Sequence, residues 1–343
     1  MKGTISSLIY SLPKSLCLLI VNGLTYLGMN LKLKLIGPRI CHLTLPSTCD
    51  HNCPFCITDV HGKGRLHGRK TLTFDEIKTI IDYSLNELTL KFNLTSNGEP
   101  LLYPHLKSLI LYIQHRSKGK AEIQIVTNGT SLKKEDLDFY ASNNISFWIS
   151  LHSVVFDSWK QMHRPLHHEQ EKYPILLNNI LEFSKKGIDL TIHCVVTKLN
   201  YKDLNELPNF LTTIRIKHFS LTRLIDFEEL KLNNSEELEL EKIIANLKNE
   251  LDKLRINHNL DGFEIMIEED QNTESSDPGF YELNRCYMPF LMRPITDSGL
   301  VKSCNGGPVL GAFNDKTTIN KEKDFLIATS NIRKTKGGVD QFQ

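Results

Sequence analysis

Short runs of β-branched and aromatic residues alternate with longer amphipathic segments from about residue 40 onward. Six of these runs predict β-strands, because such side chains pack well on a pleated sheet. The predicted strands are ICHLTL (40–45), LKFNLT (90–95), EIQIV (122–126), SFWISL (146–151), DLTIHCVV (189–196) and KHFSL (217–221). Segments with helical spacing separate them, so the pattern indicates a parallel sheet wrapped by helices.

The helix between the first two strands is the best marked. Thr73 and Glu76 form the pattern of a capping box ahead of the apolar positions Ile77, Ile80 and Ile81. Further helices are predicted near 104–117, 132–142, 172–186 and 201–213, with a long amphipathic helix in 233–259.

Six strand–helix units are too few to close an eight-stranded barrel. We therefore predict an α/β fold with a partial (β/α)6 TIM-like barrel over residues 39–225. Residues 1–38 are expected to form an apolar N-terminal extension, and residues 226–343 a smaller C-terminal α+β extension and tail. A strand is predicted there at 263–269.

The N-terminal extension contains an apolar run over residues 5–29, interrupted by Pro13, Lys14 and Asn22. The longest uninterrupted piece is shorter than the roughly 20 residues that span a bilayer, and no cleavage site of a signal peptide stands out. Two interpretations stay open. We favour an extension packed against the main domain, and the alternative is an interfacial helix in peripheral contact with a membrane.

Composition and charge are those of an ordinary globular protein. The 41 Lys and Arg nearly cancel the 40 Asp and Glu, so no nucleic-acid partner is expected. Eight irregularly spaced cysteines in a chain of 343 residues do not fit a secreted disulfide framework. We therefore expect a cytoplasmic protein, which would also associate with a membrane if residues 5–29 form the interfacial helix.

Three of the cysteines lie in one short loop after the first predicted strand. Cys49, Cys53 and Cys56 are separated by three and then two residues. An iron–sulfur cube has about four irons, so three thiolates would hold it and leave one iron open. The alternative is a zinc site completed by a histidine, although zinc sites usually pair Cys-x2-Cys with a second pair. The candidate histidines are His51, His61 and His67.

Polar residues also follow the other predicted strands. Because parallel strands of a barrel end at one mouth, we expect these residues to converge there. They are Asn97-Gly98-Glu99-Pro100 after strand two, Thr127-Asn128-Gly129 after strand three, Ser150 and His152 at strand four, Thr197 and Asn200 after strand five, and Thr222 and Arg223 at strand six.

With these motifs, residues 40–225 resemble the radical S-adenosylmethionine (radical SAM) superfamily. The most specific element is the loop of Cys49, Cys53 and Cys56, with Phe55 just before the last cysteine. In that family the loop holds a [4Fe–4S] cluster whose open iron is chelated by the amino and carboxylate groups of SAM. The resemblance implies that these cysteines ligate the cluster and that Phe55 lies against the adenine.

The family's Gly-Gly-Glu-Pro motif appears here as Asn97-Gly98-Glu99-Pro100. The resemblance implies that Glu99 and the nearby backbone hold the methionine ammonium. Asn97 stands where the family has its first glycine. This residue departs from the family motif and leaves Glu99 available. Because Asn adopts left-handed conformations less freely than Gly, the motif does not fix the backbone path there.

Three further residues are assigned to SAM. Ser150 stands where relatives use a serine for the methionine carboxylate or the ribose, and Arg164 resembles a downstream arginine that pairs with the same carboxylate. A guanidinium can offer a carboxylate two parallel hydrogen bonds. Asn200 is placed toward the adenosine by its position alone.

The resemblance also implies a reaction. A one-electron donor such as flavodoxin or ferredoxin would reduce the cluster, and SAM would be cleaved to methionine and a 5′-deoxyadenosyl radical that abstracts hydrogen from a substrate. The protein would bind, orient and exclude water, so no catalytic side chain is assigned.

Two cysteines near the C-terminus, Cys286 and Cys304, flank Gly299 with the spacing that opens SPASM or twitch extensions. Such extensions hold auxiliary clusters in many radical SAM enzymes. No cysteine follows Cys304, so the region would be truncated or degenerate. We favour a degenerate hairpin that turns at Asp297-Ser298-Gly299 and closes the barrel. The alternatives are a second cluster and two unrelated core cysteines.

The substrate is the least determined expectation. A ribosomally made peptide is the first expectation, because partial SPASM or twitch regions often accompany that role. A lipid, or a small-molecule or cofactor precursor, is the alternative within the family. The alternative from another class is a non-catalytic metal-binding scaffold that holds zinc or an iron–sulfur cluster.

Overall fold

The computed structural model describes residues 2–31, 33, 35–56, 71–224, 227–263, 291–302 and 309–313. The strands of this part of the chain are β1 (Ile40–Leu45), β2 (Lys91–Ser96), β3 (Glu122–Thr127), β4 (Ile145–Ser150), β5 (Leu190–Val196), β6 (His218–Arg223), β7 (Asn257–His258), β8 (Met292–Ile295), β9 (Leu300–Lys302) and β10 (Val309–Ala312). They form one sheet in the order β10-β9-β8-β1-β2-β3-β4-β5-β6-β7.

The sheet is parallel from β8 through β7, and it is not closed. Strands β1 to β6 confirm the six predicted strands, with ends shifted by no more than two residues. Neighbouring strands along the chain are neighbours in space, because a helical crossover returns each one to the same edge. The predicted partial barrel is therefore present as an open α/β sheet.

The helices of the described residues are α1 (Lys2–Ile9), α2 (Lys14–Leu31), α3 (Phe74–Asn86), α4 (Leu106–Arg116), α5 (Leu137–Ser142), α6 (Phe156–His163), α7 (Glu169–Lys185), α8 (Leu207–Leu211) and α9 (Asn234–Lys253). The predicted capping box is present at the start of α3. Glu76 N–H donates to Thr73 Oγ1 at 3.3 Å, and Thr73 N–H donates to Glu76 Oε2 at 2.8 Å. Helix α6 has no counterpart among the predicted helices.

The sheet has an apolar face and a polar face. Buried residues such as Leu43, Phe92 and Phe147 alternate along the strands with half-buried ones and pack beneath the helices. The side chains of the opposite, inner face are mostly polar: His42, Thr44, Asn93, Thr95, Gln124, Ser146, Trp148, Thr191, His193, Ser220 and Thr222. A cavity of about 420 Å³ opens on this face at the amino-terminal ends of the strands. The barrel interior thus offers hydrogen-bonding groups.

Helices α1 and α2 pack on the outside of the barrel. Cys17, Val21 and Thr25 of α2 are buried, and the Tyr10 hydroxyl donates to the Thr89 carbonyl at 2.6 Å. One side of the extension is therefore packed against the main domain, and membrane contact of its exposed side stays a prediction. Among the described residues, no helix combines the length and the apolarity needed to cross a membrane.

The C-terminal strands form the predicted hairpin at an unexpected place. The turn is at Asp297-Ser298-Gly299, where Gly299 has φ 79° and its N–H donates to the Thr296 carbonyl. Strand β8 pairs parallel with β1, and β9 and β10 continue the sheet outward. The expectation that this hairpin closes the barrel is wrong, because it extends the open sheet at the β1 edge. Of the predicted strand 263–269, only Phe263 lies within the described residues, and it is not in a strand.

Candidate cluster and cofactor site

The three-cysteine loop leaves the carboxyl end of β1. Cys49, Cys53 and Cys56 are half-buried, and Cys56 N–H donates to the Cys53 carbonyl at 3.1 Å, which turns the chain between them. Burial raises the pKa of the Cys49 thiol to about 12 and raises that of Cys53 above its ordinary range, and neighbouring thiols add to both shifts. Two thiols this costly to ionise alone, those of Cys49 and Cys53, fit a cationic iron–sulfur centre, which supplies the positive charge that a thiolate needs.

Asp50 is the anchor of this loop. Its carboxylate accepts from Asn128 Nδ2 at 2.9 Å, Thr130 Oγ1 at 3.2 Å and Lys172 Nζ at 2.9 Å. Burial opposes ionisation, but hydrogen bonds from His51, Lys172 and Asn128 outweigh it and hold the pKa of Asp50 well below its usual range. The cysteine loop is thereby fixed to the end of β3 and to α7. The sequence interpretation missed this role of Asp50, because its partners Asn128 and Lys172 are far away in the sequence.

The Asn97–Pro100 turn packs directly against the chain that enters the cysteine loop. Glu99 N–H donates to the Thr48 carbonyl at 2.7 Å, and Ser47 Oγ donates to the Glu99 carbonyl at 2.8 Å. A Cβ placed on Gly98 would lie 2.2 Å from the Thr48 carbonyl oxygen. Position 98 therefore requires glycine, because any larger side chain would clash with the backbone of Thr48. Asn97 occupies the preceding position without a positive φ.

Glu99 is buried and joins three segments of the mouth. Its Oε1 accepts from Leu101 N–H at 3.0 Å and from Thr127 Oγ1 at 2.6 Å, and its Oε2 accepts from Asn128 N–H at 2.8 Å. Burial raises the pKa of Glu99 to about 7. The three hydrogen-bond donors favour the ionised form and lower the pKa, but burial has the larger effect. A carboxylate held here is a suitable partner for an ammonium.

The raised pKa of Glu99 predicts a pH-dependent stability. Its folded pKa of about 7 lies above its unfolded value, so the stabilising contribution is complete below about pH 4.3, falls as the pH rises toward 7 and levels off above 7. Wild type should lose about 2.5 kcal/mol relative to Glu99→Gln between pH 5 and pH 8, at about 1.4 kcal/mol per pH unit until the loss levels off near pH 7. Urea unfolding of the reduced, metal-free proteins measures this difference, and a difference that stays flat with pH would contradict the assignment.

Ser150 lies at the end of β4 and Asn200 lies just after β5, and the two side chains differ in how many hydrogen bonds they make. Ser150 Oγ makes no hydrogen bond within the described residues, so it is available to a ligand. The Asn200 amide donates to the His152 carbonyl at 2.6 Å and to the Val195 carbonyl at 2.9 Å, and it accepts from Thr197 N–H at 2.8 Å. Asn200 thus ties the two strand ends together. Its contact with adenosine stays a prediction.

Phe55 is buried in a small apolar cluster at the mouth, with Met162, Leu224 and Leu230. Its ring meets the His152 ring edge-on, with centroids 5.1 Å apart. This cluster gives the cysteine loop an apolar wall. The expected adenine contact of Phe55 stays a prediction.

The segment that follows α6 is bound to the cysteine loop through its backbone. Asn52 N–H donates to the Arg164 carbonyl at 2.9 Å, Cys53 Sγ donates to the His163 carbonyl at 3.4 Å, and Leu166 N–H donates to the Asp50 carbonyl at 3.0 Å. The Arg164 side chain is exposed and forms no ion pair among the residues that the structure describes. The sequence pointed to this segment, and the structure adds the backbone contacts.

Three buried histidines lie close to the cysteine loop. The sequence interpretation named His51 as a candidate zinc ligand and expected His152 at the mouth, and it assigned no role to His163. The rings of His152 and His163 stack with centroids 4.8 Å apart, and His51 meets His163 at 5.6 Å. Burial lowers the pKa of His152 to about 3 and that of His163 well below its ordinary value, so both are neutral. Both ring nitrogens of His163 and Nε2 of His51 are buried without a hydrogen-bond partner among the described residues. Such polar atoms fit a site that takes a further polar group.

The zinc alternative can be compared with this geometry. Ligand atoms of Cys49, Asp50 and His51 lie within 4.8 Å of one another. However, His51 Nδ1 is engaged by Asp50 at 3.0 Å and by Asn128 at 2.7 Å, so this nitrogen already has partners. His61 and His67 lie outside the described residues, as do Cys286 and Cys304 of the candidate second site.

An open parallel α/β barrel with a three-cysteine loop at the carboxyl ends of its strands, hydrogen-bonded to a buried glutamate turn on the next strand, is the arrangement of a radical SAM domain. The sequence profile of the Radical SAM superfamily matches residues 43–211, and this part of the chain belongs to that superfamily. A radical SAM domain indicates an enzyme, and its cofactors are a [4Fe–4S] cluster and SAM.

Two curated relatives are UPF0026 proteins of Helicobacter pylori. The protein of strain J99 is 24% identical over 206 residues, which is 55% of this chain and 63% of the relative. The protein of strain 26695 is 28% identical over 142 residues, which is 40% of this chain and 44% of the relative. The chain thus matches less than two thirds of the length of either relative.

Solved structures share the fold. Streptococcus suis SuiB bound to the precursor peptide SuiA is 18% identical with a TM-score of 0.63, and the match covers 90% of this chain and 70% of SuiB. Native anSMEcpe with bound AdoMet and the Cp18Cys peptide is 16% identical with a TM-score of 0.60, covering 87% of this chain and 85% of anSMEcpe. At these identities the likeness establishes the fold.

Proposed function

We propose that this chain cleaves SAM reductively and uses the resulting 5′-deoxyadenosyl radical to abstract hydrogen from a ribosomally made peptide. The observation that carries the proposal is the hydrogen-bonded unit formed by the cysteine loop, the Glu99 turn and the end of β3 at one mouth. When bound, the cluster and SAM supply the electron transfer and the radical.

The residues of the mouth would share the work of binding. Cys49, Cys53 and Cys56 would hold the cluster, and Glu99 would accept from the methionine ammonium. The Ser150 hydroxyl would donate to the carboxylate or the ribose, and Phe55 would cover the adenine. Arg164 would pair with the carboxylate, and Asn97, Gly98 and Asn200 would shape the walls. Together they would orient SAM and exclude water.

A peptide suits the barrel interior better than an acyl chain does. The inner face carries Gln124, Thr191 and Trp148, and the Asn93 side-chain oxygen is buried without a hydrogen-bond partner among the described residues. Burying these groups against hydrocarbon would leave them unpaired, whereas peptide amides can satisfy them. Two of the structurally similar proteins hold peptides, which supports the same choice.

Partners and location follow from the proposed chemistry. The reaction would need a one-electron donor such as flavodoxin or ferredoxin. Because thiolate ligands need a reducing compartment, we propose that the protein is cytoplasmic. We also propose peripheral contact of residues 5–29 with a membrane.

The test is anaerobic reconstitution with iron and sulfide, followed by SAM and dithionite. Methionine and 5′-deoxyadenosine are expected, and deuterium from a labelled peptide substrate should appear in the 5′-deoxyadenosine. Bound iron without SAM cleavage would favour a non-catalytic scaffold, and bound zinc with no iron would overturn the cluster assignment. If deuterium reached the 5′-deoxyadenosine from a labelled lipid or cofactor precursor and not from a peptide, the proposal of a peptide substrate would be wrong.

A further inference from the structure

The outer surface of α1, α2 and the chain that follows them is apolar. Nine of the fifteen exposed large apolar side chains of the described residues lie between positions 5 and 35. They are Ile5, Leu8, Leu16, Leu19, Tyr26, Leu27, Leu31, Leu33 and Leu35. Leu8, Leu19 and Tyr26 are 67%, 68% and 68% exposed. So many exposed apolar side chains on one stretch of the chain mark an interaction surface.

This patch cannot turn inward, because the opposite side of the same helices is already packed. Cys17, Val21, Thr25 and Gly28 recur at helical spacing on the buried side of α2. The Tyr10 hydroxyl anchors the chain after α1 to the Thr89 carbonyl. The exposed apolar residues are therefore held pointing away from the barrel.

The charge of this region identifies what the patch would meet. The first 49 residues contain five basic residues and no acidic residue, and the first carboxylate of the chain is Asp50. The rest of the chain carries a compensating acidic excess, since the whole chain has a formal charge of +1. Beside the patch, exposed Lys118 Nζ donates to Ser11 Oγ. Half-exposed Lys14 forms an ion pair with Glu122 at 3.5 Å, so the basic character of the rim comes from Lys118 and from the excess of basic residues in this part of the sequence. Such a basic rim around an apolar patch fits an anionic lipid surface.

We infer that α1 and α2 lie on an anionic bilayer leaflet, with Leu8, Leu19 and Tyr26 inserted at the headgroup–acyl boundary. This deepens the proposed membrane contact by naming the lipid class and the inserted face. A second copy of the chain is the weaker occupant, because two basic rims would face each other across the contact. Tyrosine is an aromatic residue enriched at such a boundary.

Vesicle flotation of the full chain tests the inference. Binding is expected to vesicles of equal phosphatidylglycerol and phosphatidylcholine, at least tenfold stronger than to pure phosphatidylcholine, and it should weaken in 0.5 M salt. The double variant Leu19→Glu and Tyr26→Glu should lose at least tenfold in binding. Leu238→Glu, on the exposed side of α9, is the matched control and should bind like wild type.

The outcomes separate the occupants. A dimer that the double variant converts to monomer, with no flotation of wild type, would overturn the lipid surface in favour of a second copy. Equal binding to both vesicle types would overturn the anionic requirement. Iron content and SAM cleavage should be unchanged in the double variant. Flotation tests the lipid contact and SAM cleavage tests the proposed chemistry, so either proposal can fail without the other.

Discussion

Replacing Cys53 with serine is expected to reduce bound iron from about four per chain to near zero after anaerobic reconstitution. The reason is that Cys53 is the middle cysteine of the loop, where both other thiols raise its pKa electrostatically and its Sγ donates to the His163 carbonyl. Two thiolates would not retain the cube, and 5′-deoxyadenosine formation should fall at least about a thousandfold, to the background rate.

Cys17→Ser is the matched control for this change. Cys17 is also a free cysteine and is buried in α2, away from the mouth. It should cost some stability and leave iron content unchanged. Iron near eight per chain in wild type would indicate a second cluster on Cys286 and Cys304. Retention of four irons by Cys53→Ser would refute the assignment of the three-cysteine loop.

Gly98→Ala, which adds a single methyl group at the barrel mouth, is expected to lower the stability of the protein strongly. The added carbon would lie 2.2 Å from the Thr48 carbonyl oxygen and 2.7 Å from that of Ser47, so the backbone leading into Cys49 must move. We expect a loss of about 3 kcal/mol in unfolding free energy, at the upper end for overpacking, because backbone atoms cannot rotate away. Iron uptake should fall along with it.

Gly23→Ala provides the contrasting measurement. Gly23 is inside α2, and a Cβ there would meet nothing within 4 Å. Alanine should therefore be neutral or stabilising by up to about 1 kcal/mol. Chemical denaturation of both variants measures the two effects, and equal effects would show that space at position 98 is not limiting.

The strands could be predicted because their apolar pattern is local. Runs such as ICHLTL need only their own residues to indicate a half-buried strand, and the Thr73–Glu76 box marks the start of α3 without reference to the rest of the chain. The three-cysteine spacing is local in the same way. These features carried the fold and the expected class of cofactor.

The features that were missed depend on contacts far apart in the chain. Asp50 reads as a loop residue until Lys172 and Asn128 are seen to donate to it. Helix α6 is only eight residues long, and its His163 is buried through contacts with the Trp159 ring of the same helix and with the cysteine loop. The pairing of β8 with β1 could not be predicted either, because register between distant strands is set by the whole sheet.

The position of β1 has a consequence for how the protein is made. The strand that leads into the cysteine loop pairs on one side with β2 and on the other with β8, so Ile40 lies beside Met292. A ribosome makes β1 and β2 well before β8, because most of the barrel lies between them in the sequence. Buried Arg293 of β8, whose guanidinium lies 3.8 Å from Glu87, must also wait for that moment. The cysteine loop is thus attached to a sheet edge that stays open until β8 has been made.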